Sequence, residues 1–320
     1  MNVGAEHGGR VEAAPVIASD LDRTLIYSPA ASALGGGALP SLVCVELLDG
    51  EPLSFMTAAT VSLLASLAEV AVFVPTTTRT LAQLARVQLS GVDHPGKHGG
   101  QVAGAQVPPR PTSYAVAANG GHLVVDGVPD RDWSAEVTRT LAETATSIDE
   151  VWARLAAVCR PSWALKLRRA DELFCYAVID RAAMPADFLV EITAWCTERG
   201  WVTSLQGRKL YFVPARLTKS AAVGEVVRRV GASGFVAAGD SLLDAELLAA
   251  AVAGIRPAHG ELFDLGWSAP HIRLTRDAGV RAGEQIAAWL LSVAGQPGQG
   301  SLGEVSSSEH AARSQSPVPG

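Results

Sequence analysis

Short apolar runs and amphipathic stretches alternate along most of this chain. Val16-Ile17-Ala18 is an apolar run that stops at an acidic turn. Residues 41–48 and 52–55 flank Asp49-Gly50, a dipeptide suited to closing a hairpin. Residues 58–69 have a helical pattern, 70–74 read as a buried strand, and 80–89 as a second helix. Residues 91–112 are rich in Gly, Pro and His and read as a loop. A strand over 114–118 runs into Asn119-Gly120-Gly121. The spacing then predicts one long helix over 134–158, strands at 163–167 and 173–179, a helix over 186–199, and strands at 201–205 and 209–213. From Thr218 the pattern reads helix (218–230), strand (234–238), helix (242–250), strands (252–256 and 271–274) and helix (279–292).

Alternation of this kind predicts an α/β fold, a mostly parallel sheet covered on both faces. The middle of the chain has more adjacent strand pairs and reads as an α+β insertion. The expected layout is a core from residues 15–120 and 208–294, an inserted domain over 121–207, and disordered ends at 1–14 and 295–320. The last stretch is rich in Gly, Ser, Gln and Pro with almost no large apolar residue.

Composition narrows the function classes. Apolar residues make up 48% of the 320 residues, enough for a large core, and charged residues only 18%. The formal charge of -6 argues against nonspecific nucleic-acid binding, which needs dense Lys and Arg. Residues 24–45 carry no charge but hold Pro29, Pro40 and three consecutive glycines, a poor spanning helix. No membrane partner is expected, and a cytoplasmic location is. Cys44, Cys159, Cys175 and Cys196 are widely spaced in apolar runs, which predicts buried reduced thiols rather than a zinc site or disulfides. Oligomeric state is not legible.

In open α/β sheets ligands bind beyond the carboxyl ends of the strands. The segments that follow the expected parallel strands are Ser19-Asp20-Leu21-Asp22-Arg23-Thr24, then Pro75-Thr76-Thr77-Thr78-Arg79, then Gly239-Asp240-Ser241-Leu242-Leu243-Asp244. Lys219, one of only four lysines, opens a helix, where the macrodipole disfavours a cation. Nearby carboxylates repel unless a cation lies between them, and hard oxygen donors suit Mg²⁺. Blander readings stand beside these. Thr76-Thr77-Thr78 could cap the next helix, Asp244 could be a first-turn acid, and Lys219 could be a solvated side chain.

Together these segments resemble the haloacid dehalogenase-like (HAD) phosphatases. That family has a strand followed by DxDx[TV], a strand followed by Thr or Ser, a lysine, and a GDxxxD-type acidic signature. Here they match Asp20-Leu21-Asp22-Arg23-Thr24, Thr77, Lys219, and Gly239-Asp240-Ser241-Leu242-Leu243-Asp244. Asn119-Gly120 looks like the segment preceding a large cap, and the long insertion after the second motif is similar to the C2-capped branch, which includes sucrose-phosphate and mannosyl-phosphoglycerate phosphatase-like enzymes. The resemblance spans roughly residues 15–292. Arg23, Thr78 and Ser220 stand where the family often has Gly, and Leu243 where Asn is common.

The resemblance implies a Rossmann-like core with a C2-type cap and a Mg²⁺-dependent phosphatase acting on a small phosphorylated metabolite. A phosphotransferase or mutase, or a non-catalytic phosphate-binding scaffold, would be the alternatives. It further implies Asp20 as nucleophile, Asp22 as general acid and base, Thr77 and Lys219 as phosphate-binding groups, and Mg²⁺ held by Asp20, the backbone carbonyl of Asp22, and Asp240, with Asp244 in support. In the insertion, Arg160, Lys166, Arg168 and Arg169 are read mainly as a solvated strand edge, with a grip on a second substrate anion as the alternative. Arg208-Lys209 could face the site or solvent. The tryptophans there read as packing groups, and His94, His98 and His259 as exposed loop residues.

Overall fold

A computed structural model describes residues 13–89 and 113–295. The main sheet is built around β1 (Val16–Asp20), which is buried at all five positions. It is flanked in parallel by β4 (Val72–Thr76) and β12 (Phe235–Ala238). Beyond β12 lie β13 (Ala253–Arg256) and β14 (Ile272–Leu274), also parallel. Beyond β4 comes the parallel β5 (Tyr114–Ala117), then β6 (His122–Val125) and β7 (Val128–Pro129), which run antiparallel. A strand buried on both faces needs apolar side chains at successive positions, as 16–18 have. Ile17 faces α2 (Ala58–Val70) and α10 (Val280–Ala294), packing with Leu64, Leu67, Ile286 and Leu290. Val16 and Ala18 face the other way, toward α7 (Lys219–Val230) and α8 (Ala245–Ala250), through Val223, Val226, Leu247 and Leu248.

The second layer is a four-stranded antiparallel sheet in the order β10 (Trp201–Gln206), β11 (Lys209–Pro214), β9 (Phe174–Ile179), β8 (Ala164–Ala170). One face is covered by α4 (Arg131–Thr144), α5 (Ile148–Val158) and α6 (Phe188–Thr197), with Val137, Leu155, Ile192 and Cys196 in the shared cluster. The hairpin of β2 (Leu42–Leu48) and β3 (Glu51–Thr57) turns at Asp49-Gly50, both at positive φ, as that dipeptide predicts. Among the described residues three α-helices are a single turn long: α1 (Pro29–Ser32), α3 (Leu81–Leu84) and α9 (Glu261–Asp264). The α/β class and the capped core expected from the sequence are what is observed.

Several local expectations are corrected. The helix predicted over 134–158 is two helices: the backbone is extended at Ala145, and the Ser147 hydroxyl accepts the Glu150 N–H to start α5 afresh. The helix predicted over 80–89 is only α3, because the chain turns back at Val87 to bridge Glu46 on β2. Residues 122–129 extend the main sheet, and 209–214 belong to the four-stranded one. The four-stranded sheet runs to Pro214. Cys175 and Cys196 are buried, whereas Cys44 is exposed and Cys159 half-buried. Trp163 and Trp201 are packed inside the insertion as expected. His94, His98 and the tails lie outside the described residues. Among the described residues no helix is long and apolar enough to cross a membrane.

Candidate active site

The carboxyl ends of β1, β4 and β12 converge on one rim. β1 delivers Asp20 and the chain then makes a tight turn in which the Thr24, Leu25 and Ile26 amides all donate to the Leu21 carbonyl. This turn puts Arg23 at φ 63, a left-handed conformation uncommon for a residue with a long side chain. A buried histidine holds it there. His259 Nε2 donates to the Arg23 carbonyl at 2.8 Å, and Nδ1 accepts the Gly279 amide at 3.2 Å, which fixes the neutral tautomer. Burial pushes the His259 pKa down to about 4. His259 was expected to be an exposed loop residue; it is 7% exposed because its loop folds beneath the site. The next residue, Gly260, has φ +93, and a Cβ there would sit 2.5 Å from an Asp240 carboxylate oxygen.

Lys219 is the centre of the acidic side. It is 1% exposed, and Nζ donates to Asp20 Oδ1 and Asp244 Oδ1, both at 2.6 Å. A cation at the first turn of α7 thus finds two carboxylates that offset the dipole. Burial opposes the charged lysine, yet the two acids raise its pKa. The other Asp244 oxygen accepts the Asp240 and Ser241 amides and the Ser241 hydroxyl, so Asp244 shapes the loop that carries Asp240. Among the described residues no hydrogen bond reaches the Asp240 carboxylate; Arg23 Nε is 3.4 Å away. Asp20, Asp240 and Asp244 offer oxygens within 4.8 Å of one another. Burial raises the Asp20 pKa to about 7, with Lys219 opposing and Asp244 and Asp22 adding to the rise. Burial, then repulsion by Asp20 and Asp244, lifts Asp240 well above its ordinary value. Three buried carboxylates face two cations, Lys219 and Arg23, and remain short of positive charge. That donor set fits a hard divalent cation, with Asp240 the carboxylate left without a hydrogen-bond donor.

Asp22 lies in a different setting. Arg79 Nε and Nη2 grip its two oxygens at 2.7 and 2.8 Å. The third guanidinium nitrogen reaches Glu46 Oε1 at 2.8 Å. Glu46 is 1% exposed on the hairpin and also takes Arg86 Nη2 at 3.2 Å and the Ser54 hydroxyl at 2.7 Å. Burial works to raise the Asp22 pKa, but the Arg79 charge and fork carry it below the usual carboxylate value.

Thr77 follows β4 and is fully buried; its hydroxyl accepts the Arg79 amide at 3.1 Å, which leaves its own hydrogen to donate. Asn119, at φ 57, donates its amide N–H to the Thr77 carbonyl at 2.9 Å and its side-chain Nδ2 to the Leu217 carbonyl at 2.6 Å. Asn119 thereby ties Thr77 to the start of α7. At Gly120 a Cβ would lie 2.1 Å from the Thr218 carbonyl, so only glycine lets α7 come this close. Glu261 joins the two layers: it accepts the Leu242 amide of the Asp240 loop and, from β10, the Leu205 amide and Ser204 hydroxyl at 2.8 and 2.6 Å.

The structure therefore gathers Asp20, Asp240, Asp244 and Lys219 into one cluster, with Asp22 two residues along the same turn and Thr77 on the neighbouring strand end. Arg79, Glu46, His259 and Glu261 are the residues that sequence reasoning missed. Arg79 was visible beside Thr77, but nothing in the sequence pairs it with Asp22 or Glu46.

No family model and no curated protein matches the chain. Solved structures do. A sucrose-phosphatase from Synechocystis sp. PCC6803, solved with sucrose and phosphate, is 14% identical over 87% of this chain and 98% of that one, with a TM-score of 0.55. A HAD-superfamily phosphatase from Bacteroides thetaiotaomicron is 14% identical over 91% of this chain and 98% of that one, at a TM-score of 0.48. The C-terminal domain of the C. albicans trehalose-6-phosphate phosphatase is 11% identical over 88% and 93%, also at 0.48. At this identity the first similarity shows a shared fold.

Proposed function

We propose that the protein is a HAD-type phosphoric monoester hydrolase that acts on a small phosphorylated metabolite, a sugar phosphate being the favoured class. One observation carries this reading. A buried lysine bridges Asp20 and Asp244, with Asp240 in the same cluster, at the carboxyl ends of parallel strands where an anionic ligand belongs. The fold shared with a sucrose-phosphatase supports the choice of sugar phosphates. The core is assigned to residues 13–129 and 215–295, and the cap to 130–214, closed over the rim through Glu261.

In this reading Asp20 attacks phosphorus to form an aspartyl-phosphate, and water then releases phosphate. Thr77 donates to a phosphoryl oxygen, and Lys219 holds Asp20 in line while offsetting charge on the phosphoryl group. Mg²⁺, held by Asp20 and Asp240 with the Asp22 backbone carbonyl, would neutralise charge on the transferring group. Asp22 starts as a carboxylate in the Arg79 fork, which suits it to take a proton from the attacking water. To protonate the leaving oxygen in the first half-reaction it must first loosen that fork and take up a proton from solvent. The test is hydrolysis of p-nitrophenyl phosphate by the purified protein with Mg²⁺. Release of nitrophenol that stops with EDTA and returns with Mg²⁺ is expected; no release under either condition contradicts the assignment.

A further inference from the structure

The face of the cap sheet turned toward the core carries an unpaired set of cations. Strand register fixes which side chains share it. Lys166, Val178, Lys209 and Gln206 form one cross-strand row. Arg168, Tyr176, Tyr211 and Ser204 form the next, two residues along on the same side. The opposite face is the helix-covered one: Arg169 pairs with Asp149 of α5 at 2.7 Å, and Thr203 meets Thr193 of α6 at 2.6 Å.

Three contacts aim the cationic face at the rim. Ser204 donates to Glu261 of the core. Tyr211 and Phe174 share one apolar cluster with Ala118 and Leu217 of the core. In the β10–β11 turn, a Cβ on Gly207 would lie 3.5 Å from Arg23 Nη1. Lys209 stands over the Tyr176 ring at 5.7 Å. Its pKa is raised by negative charge on the Tyr211 oxygen and by the Asp22 charge, so it lies within electrostatic reach of the reacting side. Lys166, Arg168 and Lys209 are all exposed, and among the described residues none has a carboxylate within 4 Å. The acidic substitutes are absent where they would be simplest to place: Val178 and Tyr176 occupy the strand between the cations. Lys166 and Lys209 are thus about two strand spacings apart, roughly 10 Å, and leave room for one anionic group between them.

Resting on the phosphatase reading above, we infer that this face binds a second anionic group of the substrate, so that the preferred substrate is a small phosphate ester carrying a carboxylate or a further phosphate. Lys209 and Arg168 are the principal contacts, with the Tyr176 and Tyr211 hydroxyls able to hydrogen-bond the portion between the two anions.

The experiment compares kcat/KM within two substrate pairs: glucose 6-phosphate against 6-phosphogluconate, which adds a carboxylate, and fructose 6-phosphate against fructose 1,6-bisphosphate, which adds a phosphate. The wild type is expected to favour the doubly anionic member of at least one pair by about tenfold or more, and the pair in which it does identifies the anion. Lys209→Met with Arg168→Met should bring that ratio back toward one, mainly through KM; thermal melting checks that the double variant is folded, and Lys166→Met gives an independent reading on the same face. Ratios near one in both pairs, while p-nitrophenyl phosphate is turned over, overturn this inference and leave the phosphatase reading intact. A high ratio that the variants do not lower overturns the residue assignment. No turnover of p-nitrophenyl phosphate overturns both.

Discussion

Asp20 and Asp22 are two residues apart on one turn, yet they lie in opposite electrostatic settings. On the Asp20 side three buried carboxylates meet two cations, Lys219 between Asp20 and Asp244 and Arg23 at 3.4 Å from Asp240, and the Asp20 and Asp240 pKa values rise. On the Asp22 side two carboxylates, Asp22 and Glu46, meet two guanidinium groups, Arg79 and Arg86, and the Asp22 pKa falls. One side is short of positive charge and the other is balanced. A single DxD turn thus places its two carboxylates in environments suited to different chemistry. On the phosphatase reading proposed above, the charge-poor side would take the cation and phosphoryl group, and the balanced side would orient a proton carrier.

The comparison can be broken in four places. The largest effect is expected for Asp20→Asn, which keeps the shape and removes the proposed nucleophile; kcat should fall at least about a thousandfold with the thermal midpoint preserved. Comparable activity in this variant would remove the distinction between the two aspartates. Asp240→Ala comes next. It deletes the carboxylate that accepts no hydrogen bond among the described residues, and the Mg²⁺ concentration for half-maximal rate should rise about tenfold or more in a metal titration. An unchanged titration would take Asp240 out of the ligand set.

Arg79→Met then tests the balanced side. Burial is the larger influence on Asp22 and acts upward, so loss of the guanidinium should raise the Asp22 pKa and move the acid limb of the kcat–pH profile to higher pH. Arg79→Lys should recover part of the shift, since it restores the charge but not the fork. An unmoved acid limb in Arg79→Met would sever Arg79 from Asp22. The smallest effect concerns His259, whose folded pKa of about 4 lies below its unfolded value. The unfolded chain binds the extra proton first, so stability should decline as pH falls from about 6.5 toward 4, by no more than about 3 kcal/mol. In His259→Gln the decline over that window should shrink in urea unfolding; an identical decline would assign it to other groups.

How much was legible depended on how local each cause is. Val16-Ile17-Ala18 announced a doubly buried strand, and Asp49-Gly50 announced its turn, because side-chain pattern and backbone preference act within a few residues. Asp20, Asp240, Asp244 and Lys219 were legible as a set because each follows a strand or opens a helix, and such ends meet at one rim in a parallel sheet. The break at Ser147 was missed because helical spacing continues across it, and only the capping hydroxyl reveals the restart. Glu46 was illegible in a more basic way. A carboxylate in an alternating hairpin reads as solvent-facing, and its burial is set by Arg79 and Arg86, which arrive from another part of the chain. Glu261 hides for the same reason, since its partners Leu205 and Leu242 come from different layers.

The most direct test is chemical trapping during turnover. Borohydride reduces an aspartyl-phosphate to homoserine, and peptide mass spectrometry then reports which residue was modified. The account predicts homoserine at position 20, dependent on Mg²⁺ and a phosphate ester, absent at position 22 and absent in Asp20→Asn. Modification at Asp22, or steady turnover with no trapped residue at Asp20, would contradict the division of roles between the two sides of the rim.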